Sequence, residues 1–208
     1  MNQYKILNLF PTPVFIDEGI HTTKKQRDFV YNTKWYRPEA DNGWLTNNHY
    51  LLDEDVMKTL KEKIMKSFNA MMSNSMQFQD SVGWRMTNSW AVKHDTGGWA
   101  QEHIHTNSVF SGVYYMDTNE HQGKIKFHKP THDQTILPLT FRPGSYKEPT
   151  DYNLDFAHIQ PENGMMVIFP STLLHSVSAN KSEWDRYSIA FNFFPTGTWG
   201  ADEHELIL

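Results

Sequence analysis

The chain of 208 residues changes its hydrophobic pattern once, near Trp84, and that change limits its fold more than any other feature. Upstream, residues 53–72 carry one long helical period. Val56, Leu60, Ile64 and Phe68 recur every four residues with Met57, Met65 and Met72 beside them, while Lys58, Lys61, Glu62 and Lys66 take the opposite side. Asp53 and Glu54 stand at its start, where carboxylates suit the helix dipole. A shorter helix is predicted over residues 22–32, and residues 6–16, interrupted by Pro11 and Pro13, read as extended chain at a sheet edge. From Trp84 onward no helical period returns. Strands are predicted near 85–93, 109–116, 124–128, 135–141, 165–169, 173–177 and 187–194, separated by Gly, Pro and Asn clusters. Helices followed by strands predict an α+β fold, a β-sandwich or barrel with helices packed on its outside. The length fits one domain spanning 1–208, in which residues 1–80 support a barrel core over 84–195. Residues 129–164, long and rich in Pro and Asp, read partly as a lid.

Composition narrows the function. Nineteen Lys and Arg against 24 Asp and Glu leave a net charge of −5 with no basic block, which disfavours tracking of a nucleic-acid backbone. The longest purely apolar run, 165–169, is far too short to span a bilayer, so no membrane partner is expected. No basic-then-apolar leader opens the chain, and a cytoplasmic location is the default expectation. Cysteine is absent, which removes disulfides, thiolate catalysis, zinc ribbons and iron–sulfur clusters together. Eleven histidines remain, so any metal must sit on imidazole and oxygen.

Two histidine contexts stand out. His103-Ile104-His105 precedes a strand-like run, and residues i and i+2 of extended chain project to the same face, where both imidazoles could meet one ion. The spacing alone is weak, since a chain with this many histidines produces about 0.6 such pairs by chance. The second context is the run Phe169-Pro170-Ser171-Thr172-Leu173-Leu174-His175-Ser176-Val177 followed by Arg186-Tyr187-Ser188. By strand parity Tyr187, Ile189, Phe191 and Phe193 share one face, while Arg186, Ser188, Ala190, Asn192 and Phe194 share the other. The polar face meets solvent or lines a pocket. Phe194 on that face and His175 eleven residues upstream favour the pocket, in which a guanidinium and a hydroxyl can hold one carboxylate.

These stretches resemble the iron(II)- and 2-oxoglutarate-dependent oxygenases, whose fold is a double-stranded β-helix, a jelly-roll or cupin-like barrel. The resemblance is carried by Leu9-Phe10-Pro11-Thr12-Pro13-Val14-Phe15, by His103-Ile104-His105-Thr106-Asn107-Ser108 with Ser111-Gly112-Val113-Tyr114-Tyr115, and most specifically by the His175 run with Arg186-x-Ser188. Within the superfamily the chain is most similar to a small phage and bacterial group of unknown substrate. The resemblance implies Fe(II), 2-oxoglutarate and dioxygen as cofactor and co-substrates. It further implies hydroxylation of a small-molecule or peptide substrate, with 2-oxoglutarate leaving as succinate and carbon dioxide. His103, six residues beyond Gly97, matches the first metal ligand and His175 the distal one. Arg186 and Ser188 match the clamp on the far carboxylate of 2-oxoglutarate, and Tyr115 resembles a tyrosine that reaches the co-substrate; its alternative is a core aromatic.

The chain departs from the family at one position. Where the carboxylate ligand stands, it has His105, whereas the usual triad is two His and one carboxylate. Three solutions are open: a triad of His103, His105 and His175; a register with His105 first and Asn107 second; or a carboxylate from elsewhere, such as Asp95 or Asp133. The first keeps the glycine spacing and is favoured. A non-catalytic jelly-roll module with a structural or vestigial metal is the alternative reading, supported by the missing carboxylate. A third keeps an iron enzyme without 2-oxoglutarate, against which Arg186-x-Ser188 argues. His128 and His132, with Pro130 between them, are expected in a solvated loop, and Trp44 and Trp99 as packing residues or substrate contacts.

Overall fold

The computed structural model describes residues 5–39, 42–79, 81–129 and 146–208. In chain order the elements are β1 (Phe15–Asp17), α1 (Lys24–Tyr31), β2 (Trp35–Tyr36), β3 (Trp44–Thr46), α2 (Lys58–Met71), β4 (Val82–His94), β5 (Ala100–His103), β6 (Phe110–Asp117), β7 (Ile125–His128), β8 (Phe156–Ile159), β9 (Met166–Pro170), β10 (His175–Val177), β11 (Arg186–Trp199) and β12 (Leu206–Ile207). They form two antiparallel sheets. The larger runs β1-β9-β6-β11-β4-β3-β2 with β12 added to β11, and the smaller runs β5-β10-β7-β8.

Strand β11 organises the larger sheet, pairing with β4 along one side and β6 along the other. Ile189, Phe191 and Phe193 on one face join Leu60, Ile64 and Phe68 of α2 in a fully buried core. Arg186, Ser188 and Ala190 on the other face line a cavity. The same division explains the apolar run near residue 165. Met166 and Ile168 of β9 face the helices, whereas Val167 and Phe169 pack with Ile125, Phe127 and Leu173 between the sheets, so both faces are covered and both are apolar. Helix α1 is fixed by a capping box, with the Thr23 hydroxyl accepting from the Gln26 amide and the Gln26 side chain accepting from Thr23 N–H.

Six of the seven expected strands are present within a few residues of their expected bounds, and the seventh, near 135–141, lies outside the described residues. The segment 6–16 leads into β1 at the edge of the larger sheet, as expected. The long helix differs at its start. Leu51–Asp53 and Asp55–Met57 are 3₁₀ turns separated by Glu54 in extended backbone (φ −65°, ψ 139°), and the α-helix begins only at Lys58. Asp53 pairs with Lys61 and Glu54 accepts from the Asn48 amide, so these carboxylates tie down a turn and do not sit on a helix end. Strands β5 and β8 escape the hydrophobic pattern because each is an edge of the smaller sheet with mostly exposed side chains. Among the described residues no helix is long and apolar enough to cross a membrane.

Phe68 stacks on Phe193 with ring centroids 3.8 Å apart and meets Phe110 and Trp84 edge-on. Phe68→Ala is expected to lower stability by about 3–5 kcal/mol in chemical denaturation, the usual cost of emptying a buried aromatic site. A loss below about 1 kcal/mol would contradict this packing of α2.

Candidate functional site

The smaller sheet brings two histidines face to face. His103 ends β5 directly opposite His175, the first residue of β10, and their ring centroids lie 4.2 Å apart. His105, two residues on, is held by its backbone N–H donating to the Ser171 carbonyl at 2.9 Å. Its ring lies parallel to that of His175, 4° between planes, with the two Nε2 atoms 3.3 Å apart. Ligand atoms of all three imidazoles fall within 4.8 Å of one another.

Local hydrogen bonds fix which nitrogen faces inward. His103 donates from Nδ1 to the Gln101 carbonyl at 2.8 Å, and His175 from Nδ1 to the Leu173 carbonyl at 2.9 Å. Each backbone carbonyl two residues upstream thus leaves Nε2 with a free lone pair, the arrangement of a metal-ligating imidazole. Burial pushes His175 down to about 3 and His105 down to about 4, with the neighbouring His103 adding to both shifts. Two nitrogens that bind one ion at about 2.1 Å each, at roughly 90–105°, stand about 3.0–3.3 Å apart. The donor set suits a divalent metal ion, and the His105–His175 separation of 3.3 Å is one that a shared ion allows.

No carboxylate joins this group among the described residues. Asp95 instead accepts from the Trp44 indole at 3.0 Å, and Asn107 lies exposed in a turn at φ 56°. Asp133 lies outside the described residues.

The three histidines open onto a cavity of about 390 Å³ between the sheets, which Arg186, Ser188 and Tyr115 also line. Arg186 is only 1% exposed. Its Nη1 donates to the Gln122 carbonyl at 2.8 Å and its Nη2 to His94 Nδ1 at 2.7 Å, while its Nε is buried with no partner. The ion pairs among the described residues do not include it. A buried guanidinium without a counter-charge is expensive to maintain, and an anion in the cavity beside it would offset that cost. Burial lowers the Arg186 pKa and pushes the Tyr115 phenol up to about 12, each charge opposing the shift of the other group.

All six residues singled out in the sequence therefore line one cavity. His94 was not among them, although it continues the inward parity of Trp90 and Val92 along β4 and lines the same space. His128 is not in a solvated loop. It ends β7, its Nε2 lying 3.1 Å from the Ser176 hydroxyl and 3.4 Å from a Glu102 carboxylate oxygen; His132 lies outside the described residues. Trp44 packs under Lys93 and Arg37, and Trp99 borders a separate surface groove, so neither lines the cavity.

Facing sheets with a histidine cluster and a buried arginine on one cavity define a metal-dependent class that binds an anionic co-substrate. A family model described as "Putative 2OG-Fe(II) oxygenase" matches residues 88–192, just over half the chain and inclusive of the three histidines, His94, Tyr115, Arg186 and Ser188. The protein belongs to the 2OG-Fe(II) oxygenase family. Its fold is shared with the epimerase SnoN from nogalamycin biosynthesis, solved with Fe3+, alpha ketoglutarate and nogalamycin RO (TM-score 0.61, 12% identity, 89% of this chain and 81% of that one). It is likewise similar to HygX from Streptomyces hygroscopicus, solved with nickel, 2-oxoglutarate and hygromycin B (0.59, 12%, 88% and 82%). A prolyl-4-hydroxylase from Pseudomonas putida is a third neighbour (0.55, 10%, 88% and 92%). No curated protein matches the sequence.

The buried imidazoles make stability depend on pH. His94 is pushed down to about 3, by burial first and then by the Arg186 charge. Its folded pKa lies below the ordinary value of 6.5, so the unfolded chain takes up the extra proton as the medium is acidified. Stability is complete above 6.5 and drains away as the pH falls toward 3; His105 and His175 act in the same sense. At about pH 5 the His94 contribution alone is about 2 kcal/mol, a drop of about 4–8 °C in thermal midpoint relative to about pH 7.5. A midpoint that did not move over that range would show that these rings are not held neutral.

Proposed function

We propose that the protein is an Fe(II)- and 2-oxoglutarate-dependent dioxygenase that hydroxylates a small molecule or peptide, and that its two sheets are a double-stranded β-helix. The reading rests on one observation above the others. A three-imidazole cluster and a buried arginine without a carboxylate partner line the same cavity. His103, His105 and His175 would hold the iron through Nε2, and burial disfavours the imidazolium form of His105 and His175. Arg186 and Ser188 would receive the distal carboxylate of 2-oxoglutarate, with the Tyr115 hydroxyl beside them. When bound, iron, dioxygen and 2-oxoglutarate supply the oxidising chemistry, and the co-substrate leaves as succinate and carbon dioxide.

The chain supplies position and electrostatics. With His105 in the slot of a carboxylate, the site carries one more positive charge than the usual triad, which strengthens its hold on a dianion. Phe169 meets the His175 ring edge-on at 4.6 Å and Trp90 lies 5.9 Å from His105. These walls keep water from the imidazoles and raise the strength of every charge interaction within. Apart from Arg186 and the histidines, no titratable cation or carboxylate lines the cavity among the described residues, which supports an uncharged reacting group on the substrate.

A non-catalytic module with a structural or vestigial metal site is the second reading, and the missing carboxylate favours it. Anaerobic titration of 2-oxoglutarate into the Fe(II)-loaded protein separates the two. The enzyme reading expects a visible metal-to-ligand charge-transfer band, loss of iron in His175→Ala, and 2-oxoglutarate affinity about 100-fold weaker in Arg186→Ala. Succinate formation that survives Arg186→Ala would show that Arg186 is not the clamp, and a protein that takes up neither iron nor 2-oxoglutarate would be the module.

A further inference from the structure

His94 is buried at the edge of the cavity, and its Nδ1 is in hydrogen-bond contact with Arg186. It is the last residue of β4 and the register partner of Arg186 at the start of β11. The two are buried together, 3% and 1% exposed. Because Arg186 donates to Nδ1 at 2.7 Å, that nitrogen must carry a lone pair, and a neutral ring then has its proton on Nε2.

The ring itself is clamped. A Cβ at Gly43 would stand 2.9 Å from its Nε2 and 3.0 Å from its Cδ2. The Asn180 side-chain amide donates to the His94 carbonyl at 2.9 Å, and the Asn180 backbone exchanges hydrogen bonds with Gly97 and Gly98 at 2.7 and 2.8 Å. The end of β4 is thus tied to the loop that precedes β11.

The chemical type of this acceptor matters. A buried guanidinium is most cheaply satisfied by a carboxylate, which would neutralise it. Here both acceptors, the His94 ring and the Gln122 carbonyl, are uncharged. They use two of the five N–H donors and fix the plane of the fork, while the full positive charge and three donors are left unspent. We propose that His94 is a positioning residue for co-substrate binding, an uncharged acceptor that orients Arg186 and keeps its charge available for the dicarboxylate. The proposal rests on the 2-oxoglutarate reading of the cavity and adds to it the residue that sets the strength of the anion site.

The test compares 2-oxoglutarate binding with thermal stability in the Fe(II)-loaded full chain, wild type and variants, by anaerobic charge-transfer titration and by calorimetry. His94→Asn places an uncharged oxygen near the position of Nδ1 and is expected to bind 2-oxoglutarate within about threefold of wild type. His94→Leu leaves one guanidinium N–H unpaired and should weaken binding about tenfold. His94→Asp should form a buried ion pair, melt no lower than His94→Leu, and yet bind 2-oxoglutarate about 100-fold more weakly than wild type. Iron uptake should be unchanged throughout.

Stability and affinity moving apart in the aspartate variant is the signature that simple packing would not produce. Gly43→Ala, which must displace the imidazole from outside, should weaken 2-oxoglutarate binding with iron uptake intact, and it serves if a His94 variant does not fold. Equal affinity in wild type and His94→Asp, or a loss in His94→Asn as large as in His94→Leu, would overturn the role of His94 while leaving the enzyme reading in place. A wild type that binds iron but no 2-oxoglutarate would overturn both.

Discussion

The uncompensated charge of Arg186 is the constraint around which the inner face of the protein is arranged. Removing a guanidinium from water without a counter-ion is tolerable only where neutral dipoles converge on it and an anion can enter. Both conditions depend on the fold. The Gln122 carbonyl reaches Arg186 from the loop before β7, and His94 reaches it across the β4–β11 ladder. The position of Arg186 at the first residue of β11 puts it on the parity that faces the cavity, because the opposite parity, Ile189, Phe191 and Phe193, is taken up by the helices. A one-residue slip of β11 would exchange the two faces, driving the arginine against α2 and the phenylalanines into the cavity. Packing of the outer layer is therefore what aims the site.

The smaller sheet solves the complementary problem of holding three like groups together. Imidazoles this close repel one another if protonated, and burial already disfavours the charged forms of His105 and His175. The carbonyls of Gln101 and Leu173 take up the Nδ1 protons and turn the Nε2 lone pairs toward one point. The Leu173 carbonyl precedes β10, which begins at His175, and the Gln101 carbonyl lies on β5, an edge strand of the smaller sheet. One sheet thus presents imidazoles and the other a guanidinium to a single cavity.

Much of this was legible in the sequence, and the reasons are physical. The parity of 187–194 and the unbroken apolar run near 165 reflect strands whose faces are covered by different layers, so burial wrote itself into the residue types. His103, His105, His175, Arg186, Ser188 and Tyr115 could be named because their stretches resemble those of a known family, and all six line the cavity. Strands β5 and β8 were not legible, since edge strands with exposed side chains leave no alternation to read. The 3₁₀ start of the long helix was hidden for a different reason. Leu51 and Leu52 are wholly buried, and anchoring them holds the chain out of the α-helix until Lys58, a tertiary effect that overrides local propensity. His94 escaped because its role is defined by its partner across the sheet, and pairing register is not written in any local pattern.

The two halves of the cavity also share one energetic logic. The buried His175 ring, its Nε2 3.3 Å from that of His105, and a guanidinium with an orphaned Nε are polar groups held away from water. A fold carries such groups when their removal would forfeit something that stability alone does not measure. Neither half is self-sufficient electrostatically: a cation among the imidazoles adds positive charge to a cavity that already holds Arg186, and an anion at Arg186 alone leaves the imidazole lone pairs facing one another. A divalent cation and a dianion together cancel, and with the imidazoles neutral the only net charge left on the wall is that of Arg186. Each ligand thereby lowers the cost of the other, and because the unfolded chain offers no such pairing, their joint binding also stabilises the folded state. On this view the substitution of His105 for a carboxylate shifts the balance of the site. It would leave a metal held there less neutralised by the protein than a triad with a carboxylate does.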